Sequence, residues 1–291
     1  MLWHRGRVRA KTLPLLTGLM LLTACSGGGE TPASPAAAPT SNATSSAAPS
    51  PSPSSSPPPV SSSPPSTSAA PPVGSGKVVV LDPGHNGGNA SNPAEINRKV
   101  PAGRGQTKPC NTTGTSTNAG YPEHAFTFAV AQEVGNALAA KGIKVVYTRQ
   151  NDSGVGPCVD ERAQIGNNAN ADAVVSIHAD GSTSPTAHGF HVAYSAPPLN
   201  AAQGEPSLKL ARTMRDGIRD DGFATSTYIG SAGLSPRNDL AGLNLSTRPS
   251  VLVECGNMRN ADEAGQMSSA AGRAHYAQAI AKALEAYLAS A

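Results

Sequence analysis

Three short apolar runs constrain the fold of this 291-residue chain more than any other feature. Residues 78–81 read VVVL and lead into Asp-Pro-Gly-His, residues 173–178 read AVVSIH, and residues 250–254 read SVLVE. Continuous β-branched and apolar runs of this length are typical of strands that are covered on both faces, as in a parallel sheet. Ligands bind to such sheets at the carboxyl ends of the strands. The polar residues that end the three runs are therefore expected to meet at one edge.

The segments between these runs alternate between helix and strand patterns. Apolar residues at helical spacing predict helices over residues 122–140, 159–169, 207–220 and 269–289, and short apolar runs predict further strands over residues 143–148 and 189–195. This alternation predicts an α/β fold, a single domain with a mostly parallel twisted sheet of about six strands and helices on both faces. Residues 86–121 and 223–249 show no periodicity, so we expect irregular structure there.

The N-terminal segment carries an export signal. Residues 1–24 combine four basic residues with an apolar stretch too short to span a bilayer, which is typical of a secretory signal peptide. The tetrapeptide Leu22-Thr23-Ala24-Cys25 resembles a bacterial lipobox, in which Cys25 becomes the lipidated first residue after cleavage. The alternative is a plain secretory signal with an incidental cysteine. Both predict an exported protein, at the outer face of the cytoplasmic membrane or in the periplasm or cell wall.

The next segment has the composition of a disordered tether. Residues 25–75 consist almost wholly of Ser, Pro, Ala, Gly and Thr, which bury too little apolar surface to offset the entropy of ordering. We therefore expect the folded domain to occupy residues 76–291. The tether would connect this domain to the membrane anchor. That domain is long enough to form a full hydrophobic core.

The charge and the cysteines of the folded part narrow its function. Four of the 22 basic residues lie in the signal segment and Glu30 lies in the tether, so the rest of the chain carries 18 basic and 18 acidic side chains. This balance gives no electrostatic reason to expect nucleic-acid binding. In an exported protein we predict a disulfide between Cys110 and Cys158, since both lie in Pro- and Gly-rich segments, and a buried free Cys255.

Four side chains form the candidate site. His85, His178 and Glu254 end or follow the three buried strands, and Glu123 begins the helix that follows the first of them. Two histidines, one carboxylate and an open fourth position match a catalytic zinc site, and a further carboxylate matches the general base it needs. Each residue alone has a structural alternative: a hydrogen-bonded histidine at a strand end, or a first-turn glutamate favoured by the helix dipole.

At these residues the chain resembles a known family. LDPGH, the glutamate at the head of the next helix, SIHAD and VLVECGN together resemble the zinc-dependent N-acetylmuramoyl-L-alanine amidases of bacterial cell walls, the amidase-3 type. The resemblance covers residues 77–291. It implies that His85, Glu123 and His178 hold one Zn²⁺ and that Glu254 is the catalytic carboxylate. The chain departs from the family pattern in the long segment 86–121 and in the residues after Glu254.

The resemblance implies a substrate and a reaction. The expected substrate is peptidoglycan or a muropeptide, and the expected reaction is hydrolysis of the amide between the lactyl group of N-acetylmuramic acid and the L-alanine of the stem peptide. The protein is expected to act as a monomer.

Two other functions stay open at the level of sequence. Cys255 could be the nucleophile of a cysteine hydrolase paired with His178, although a free cysteine in an apolar strand is usually inert. The chain could also be a wall-binding lipoprotein without catalysis, against which the two histidines and two glutamates argue. The remaining histidines of the folded part are interpreted as surface or structural residues: His124, His188, His191 and His275. Of these, His124 adjoins Glu123 and is the alternative metal ligand.

Overall fold

The computed structural model describes residues 76–290. Eight strands occur in this part of the chain: β1 (Val78–Pro83), β2 (Lys99–Gly103), β3 (Gln106–Pro109), β4 (Lys144–Tyr147), β5 (Ala173–Asp180), β6 (His191–Ser195), β7 (Leu234–Arg237) and β8 (Ser250–Asn257). Seven α-helices accompany them: α1 (Pro93–Ile96), α2 (Glu123–Ala140), α3 (Val159–Asn168), α4 (Glu205–Asp220), α5 (Ala241–Asn244), α6 (Ala261–Ser268) and α7 (Ala270–Ala289). None of the helices described here is long and apolar enough to cross a membrane.

Six of the strands form the central sheet, in the order β4-β1-β5-β8-β6-β7. β4, β1, β5 and β8 are parallel to one another, whereas β6 runs antiparallel to β8 and parallel to β7. The predicted α/β fold with a mostly parallel six-stranded sheet is confirmed. Because β1, β5 and β8 are adjacent and parallel, their carboxyl ends lie side by side.

The two faces of the sheet bury different sets of side chains. One face packs against α2, α4 and α7 and holds the main hydrophobic core, which includes Val175, Ile177 and Val253. Successive residues of a strand point to opposite faces. Ser176 and His178 of β5 therefore belong to the other face, which lies against α3 and α5. The candidate site is on this second face.

The two segments expected to be irregular contain regular elements. Residues 86–121 include α1 and the β2–β3 hairpin, and residues 223–249 include β7 and α5. Prolines and glycines interrupt the apolar patterns of these segments, so their sequences do not reveal the short elements. The hairpin buries only Val100 and Ala102, which alternate with exposed residues over five positions. α6 is a further helix that the sequence did not predict.

The structure contains a disulfide between Cys110 and Cys158, with 4.5 Å between the Cα atoms, and Cys255 is a buried free thiol. Cys110 directly follows β3 and Cys158 directly precedes α3, so the bond joins the hairpin to the start of that helix. The predicted signal peptide, the lipidated Cys25 and the tether lie outside the described residues.

Candidate metal centre and active site

The turn after β1 places His85 at the carboxyl edge of the sheet. Its φ is 61°, in the left-handed region that costs energy for a residue with a side chain. Two buried arginines hold this turn through its carbonyl groups. Arg162 donates to Pro83 O at 2.7 Å and to His85 O at 2.9 Å. Arg149 donates to Pro83 O at 2.9 Å and to Gly84 O at 3.3 Å.

Asp82 connects Arg162 to Ser176 on β5 and to Thr148 directly after β4. Its carboxylate accepts hydrogen bonds from Arg162 at 2.8 Å and from the hydroxyls of Ser176 and Thr148 at 2.6 Å each. Burial alone would raise the pKa of Asp82, but Arg162 and the two hydroxyls lower it to about 2. Asp82 is therefore fully hydrogen-bonded and stays ionised at neutral pH.

His85, Glu123 and His178 form one cluster. Glu123 Oε1 lies 3.1 Å from His85 Nε2 and 2.9 Å from His178 Nδ1, and one ligand atom from each residue lies within 4.8 Å of the others. Burial alone would raise the pKa of Glu123, which is 3 % exposed, but the two histidines hold it well below its usual range. Two imidazoles and a carboxylate at this spacing are a suitable ligand set for Zn²⁺.

The residues around the cluster orient its side chains. His85 Nδ1 lies 3.0 Å from the carbonyl oxygen of Thr112, which can only accept, so Nδ1 carries the proton and Nε2 faces the cluster. Glu123 Oε2 accepts from the backbone N–H of Thr115 at 2.8 Å, and Glu123 Oε1 accepts from that of Ala179 at 3.1 Å. Thr112 lies two residues after Cys110, so the disulfide anchors the segment that orients His85.

Glu254 lies next to this cluster on β8. It is the register partner of His178 on β5, so the two side chains emerge side by side on the same face. Glu254 Oε2 is buried and has no hydrogen-bond partner among the described residues. Burial, together with Asp180 and Glu123, raises the pKa of Glu254 well above its usual value. An unpaired carboxylate that favours its protonated form beside a metal-ligand set is suited to accept a proton.

A cavity of about 360 Å³ extends from this site along the sheet. The cluster and Glu254 line one end, and the rest of its wall is largely apolar, with contributions from Val174, Leu243 and Leu252. Lys108 and Pro109 at the end of the β2–β3 hairpin also line it. The candidate metal centre therefore opens into a cleft large enough for part of a substrate.

The other predicted histidines lie outside the cluster. His124 Nδ1 is 2.7 Å from Asp152 Oδ2, so this neighbour of Glu123 is paired elsewhere. His188 Nδ1 lies 2.9 Å from Thr186 O, and His275 Nε2 lies 3.0 Å from Asp221 O, both in exposed positions. Their interpretation as surface or structural residues agrees with these contacts.

His191, which was interpreted as surface or structural, is buried and so is not a surface residue. It is only 1 % exposed and is the register partner of Glu254 on the antiparallel strand β6. Asp180 and Tyr228, which sequence reasoning missed, complete this side of the site: the Tyr228 hydroxyl donates to Asp180 Oδ2 at 2.9 Å. No sequence signal reveals that His191 lies beside Glu254. Only the antiparallel pairing of β6 with β8 brings the two residues together.

Cys255 is directed away from the site. It is 2 % exposed within the core on the face opposite Glu254. Burial, with Glu254 nearby, raises the pKa of its thiol well above the usual value, which disfavours the thiolate that a nucleophile requires. The geometry does not favour a cysteine hydrolase.

The chain shares its sequence pattern and fold with known cell-wall enzymes. Residues 79–286 match the model of the N-acetylmuramoyl-L-alanine amidase family. The chain belongs to this family. It is 50 % identical over 216 residues to the N-acetylmuramoyl-L-alanine amidase Rv3717 of Mycobacterium tuberculosis, a match that covers 74 % of this chain and 88 % of that protein. It is 28 % identical to AmiA of Escherichia coli over 74 % of this chain and 77 % of that one.

Solved structures agree. The N-acetylmuramyl-L-alanine amidase Ami1 of Mycobacterium smegmatis has a TM-score of 0.73 and 52 % identity, over 75 % of this chain and 99 % of that one. Ami1 of Mycobacterium abscessus has a TM-score of 0.71 and 53 % identity, over 74 % and 99 %. The chain is therefore an enzyme, a peptidoglycan amidase.

Proposed function

We propose that this amidase hydrolyses the amide between the lactyl group of N-acetylmuramic acid and the L-alanine of the stem peptide, using one zinc ion per chain. The observation that carries the proposal is the His85–Glu123–His178 cluster, whose ligand atoms lie within 4.8 Å, with Glu254 on the adjacent strand. His178 lies on β5 and Glu123 begins α2, whereas His85 lies in the turn after β1 that Arg149 and Arg162 hold in place.

His85, Glu123 and His178 are the proposed metal ligands. When bound in such a site, zinc polarises a carbonyl group and makes water acidic enough to attack it near neutral pH. The chain's own contribution is to fix the ligand geometry. Arg149 and Arg162 hold the backbone at His85, and the Thr112 carbonyl fixes its tautomer.

Glu254 is the proposed general base. It takes a proton from the attacking water and passes it to the nitrogen of the leaving L-alanine, as a carboxylate with a raised pKa can do near neutral pH. The cluster already supplies three protein ligands, so Glu254 is not needed to complete the set.

We further propose that the enzyme works outside the cytoplasm. In this view residues 1–24 are removed, Cys25 carries a lipid anchor, and residues 25–75 tether a monomeric catalytic domain of residues 76–291 to the membrane. Mass spectrometry of the mature N-terminal peptide tests the anchor. A diacylglyceryl-modified Cys25 is expected, with Cys25→Ala as the unmodified control, and an unmodified wild-type terminus contradicts the anchor.

The amidase activity is tested on purified peptidoglycan and on soluble muropeptides. We expect cleavage to release stem peptides with a free N-terminal L-alanine, detected by mass spectrometry. Chelation should abolish this release, and one equivalent of Zn²⁺ should restore it. Activity that persists after metal removal and stops with a thiol reagent would favour a cysteine hydrolase and contradict the proposal.

A further inference from the structure

Lys108 is a cationic side chain in the wall of the cleft to which the proposed mechanism gives no role. It lies on β3 of the hairpin and lines the same cavity of about 360 Å³ as the metal-ligand cluster. The four peptide units from Lys108 to Thr112 span at most about 14 Å, and the Thr112 carbonyl lies 3.0 Å from His85 Nδ1. A peptide of a few residues bound at the cluster can therefore reach Lys108.

The ammonium group of Lys108 is free to bind an anion. Its Nζ donates to the backbone carbonyl of Asp239 at 3.0 Å. The Asp239 carboxylate is held instead by Arg237, which donates to its two oxygens at 2.7 Å each. Lys108 forms no ion pair within residues 76–290, and an ammonium group has three N–H donors. Donors of Lys108 therefore remain for a ligand.

Lys108 is also partly removed from water. The side chain is half-buried, and this burial lowers the pKa of Lys108. A cation that has lost part of its hydration gains more from an anionic partner than a fully exposed one does. The position of Lys108 thus favours a carboxylate on a molecule bound in the cavity.

The rest of the cavity wall favours a peptide over a sugar. It includes Val159, Leu243 and Leu252, whose side chains offer no hydrogen bonds. The hydroxyl groups of a sugar would be left without partners against such a wall, which costs free energy. The methyl group of L-alanine would be buried there favourably. The leaving stem peptide therefore fits this cavity better than the glycan does.

The other charged groups that line the cavity are paired or belong to its metal end. Arg162 donates to Asp82 at 2.8 Å, and Asp180 accepts from the Tyr228 hydroxyl at 2.9 Å. The remaining ones are the metal-ligand cluster and its neighbour on β8. Along the described wall, Lys108 is thus the cation without an ionic partner.

We infer that Lys108 is a specificity-determining residue: its ammonium group binds a carboxylate of the leaving stem peptide, so the enzyme prefers acidic stem peptides to neutral ones. This inference rests on the proposed function, which places the scissile amide at the His85–Glu123–His178 cluster. Charge-assisted hydrogen bonds are roughly twice as strong as neutral ones. Because the bond is made away from the reacting atoms, it stabilises substrate and transition state alike and acts on KM more than on kcat.

Two soluble substrates and three variants test the inference. The substrates are N-acetylmuramoyl-L-alanyl-D-glutamate with free carboxylates and its diamide, which has nearly the same shape without the charge. Lys108→Met removes the ammonium group and keeps the length of the side chain, and Lys108→Arg keeps the charge. Lys99→Met is the matched control, because Lys99 is an exposed lysine on the paired strand β2 that does not line the cavity.

We expect wild-type kcat/KM to be about 10-fold higher for the carboxylate substrate than for the diamide, an effect between those of exposed and buried ion pairs. Lys108→Met should remove this preference by raising KM for the carboxylate substrate about 10-fold, with KM for the diamide within about threefold of wild type. Lys108→Arg and Lys99→Met should keep the preference.

Equal wild-type turnover of the two substrates would overturn the inference. A Lys108→Met variant that loses activity equally on both would also overturn it, because that pattern indicates a displaced hairpin rather than a lost ion pair. Lys108→Gln repeats the comparison if Lys108→Met fails to fold. In these cases zinc-dependent release of N-terminal L-alanine by wild type leaves the proposed function intact. A wild-type chain that releases it from neither substrate would instead overturn the proposed function, and the inference with it.

Discussion

Gly84→Ala is expected to remove zinc by displacing His178. A Cβ atom added at Gly84 would lie 2.2 Å from His178 Cε1 and 2.5 Å from Nε2, whereas carbon atoms in contact lie about 3.5–4.0 Å apart. The backbone cannot yield, because Gly84 N donates to Ile177 O at 3.0 Å and Gly84 O accepts from Thr127 Oγ1 at 2.8 Å. The imidazole must therefore move by more than about 1 Å to reach an ordinary contact distance. Metal–ligand distances tolerate a change of only about 0.2 Å, so this shift removes His178 from the ligand set.

We expect a loss of zinc affinity of at least about 100-fold, or about 2.7 kcal/mol. Competition with a fluorescent chelator measures it, alongside turnover of a muropeptide. Gly265→Ala is the matched control, since its added Cβ meets no atom within 4 Å and the residue lies in α6. It should keep zinc affinity and gain about 0.5–1 kcal/mol of stability. A Gly84→Ala variant that binds zinc as tightly as the control would refute the reasoning.

Three further outcomes follow from the same contacts. Replacing both Cys110 and Cys158 by serine should lower the free energy of unfolding by about 4 kcal/mol in the chain-entropy model for a separation of 48 residues, and an unchanged urea midpoint would contradict this. Cys255→Ala should keep turnover within about threefold, because the thiol is buried with a raised pKa; a large loss with zinc still bound would favour the cysteine mechanism. The lowered pKa of Asp82, about 2 against an ordinary 3.8, contributes about 2 kcal/mol above pH 3.8 that is lost as the pH falls towards 2. Urea unfolding between pH 2 and 5 should show this slope in wild type and a shallower one in Asp82→Asn, and equal slopes would exclude Asp82 as its source.

The sequence was sufficient to predict the parallel part of the fold and the four site residues that it brings together. β1, β5 and β8 are covered on both faces, so their apolar runs are continuous and end sharply at polar residues. The ends of adjacent parallel strands must meet, which places His85, His178 and Glu254 together without knowledge of any distance. Their catalytic roles remain predictions.

The part that could not be predicted depends on nonlocal pairing. His191 begins a strand like many others, and only its antiparallel register with β8 places it opposite Glu254. Tyr228 reaches Asp180 from a segment without periodicity. The β2–β3 hairpin buries few apolar side chains of its own and is joined to α3 by the disulfide, so its sequence shows little of the strand pattern.

Glu254→Gln tests the central claim most directly, because it replaces one carboxylate oxygen by an NH₂ group and leaves the proposed ligands in place. The measurement pairs zinc content, from atomic absorption of the purified protein, with the release of peptides bearing N-terminal L-alanine from a muropeptide. We predict one zinc per chain and a loss of turnover of at least about 100-fold, since general-base catalysis contributes roughly 10²–10⁴-fold. A variant that keeps wild-type turnover, or that loses its zinc together with its activity, would contradict the assignment of Glu254 as a base beside a complete ligand set.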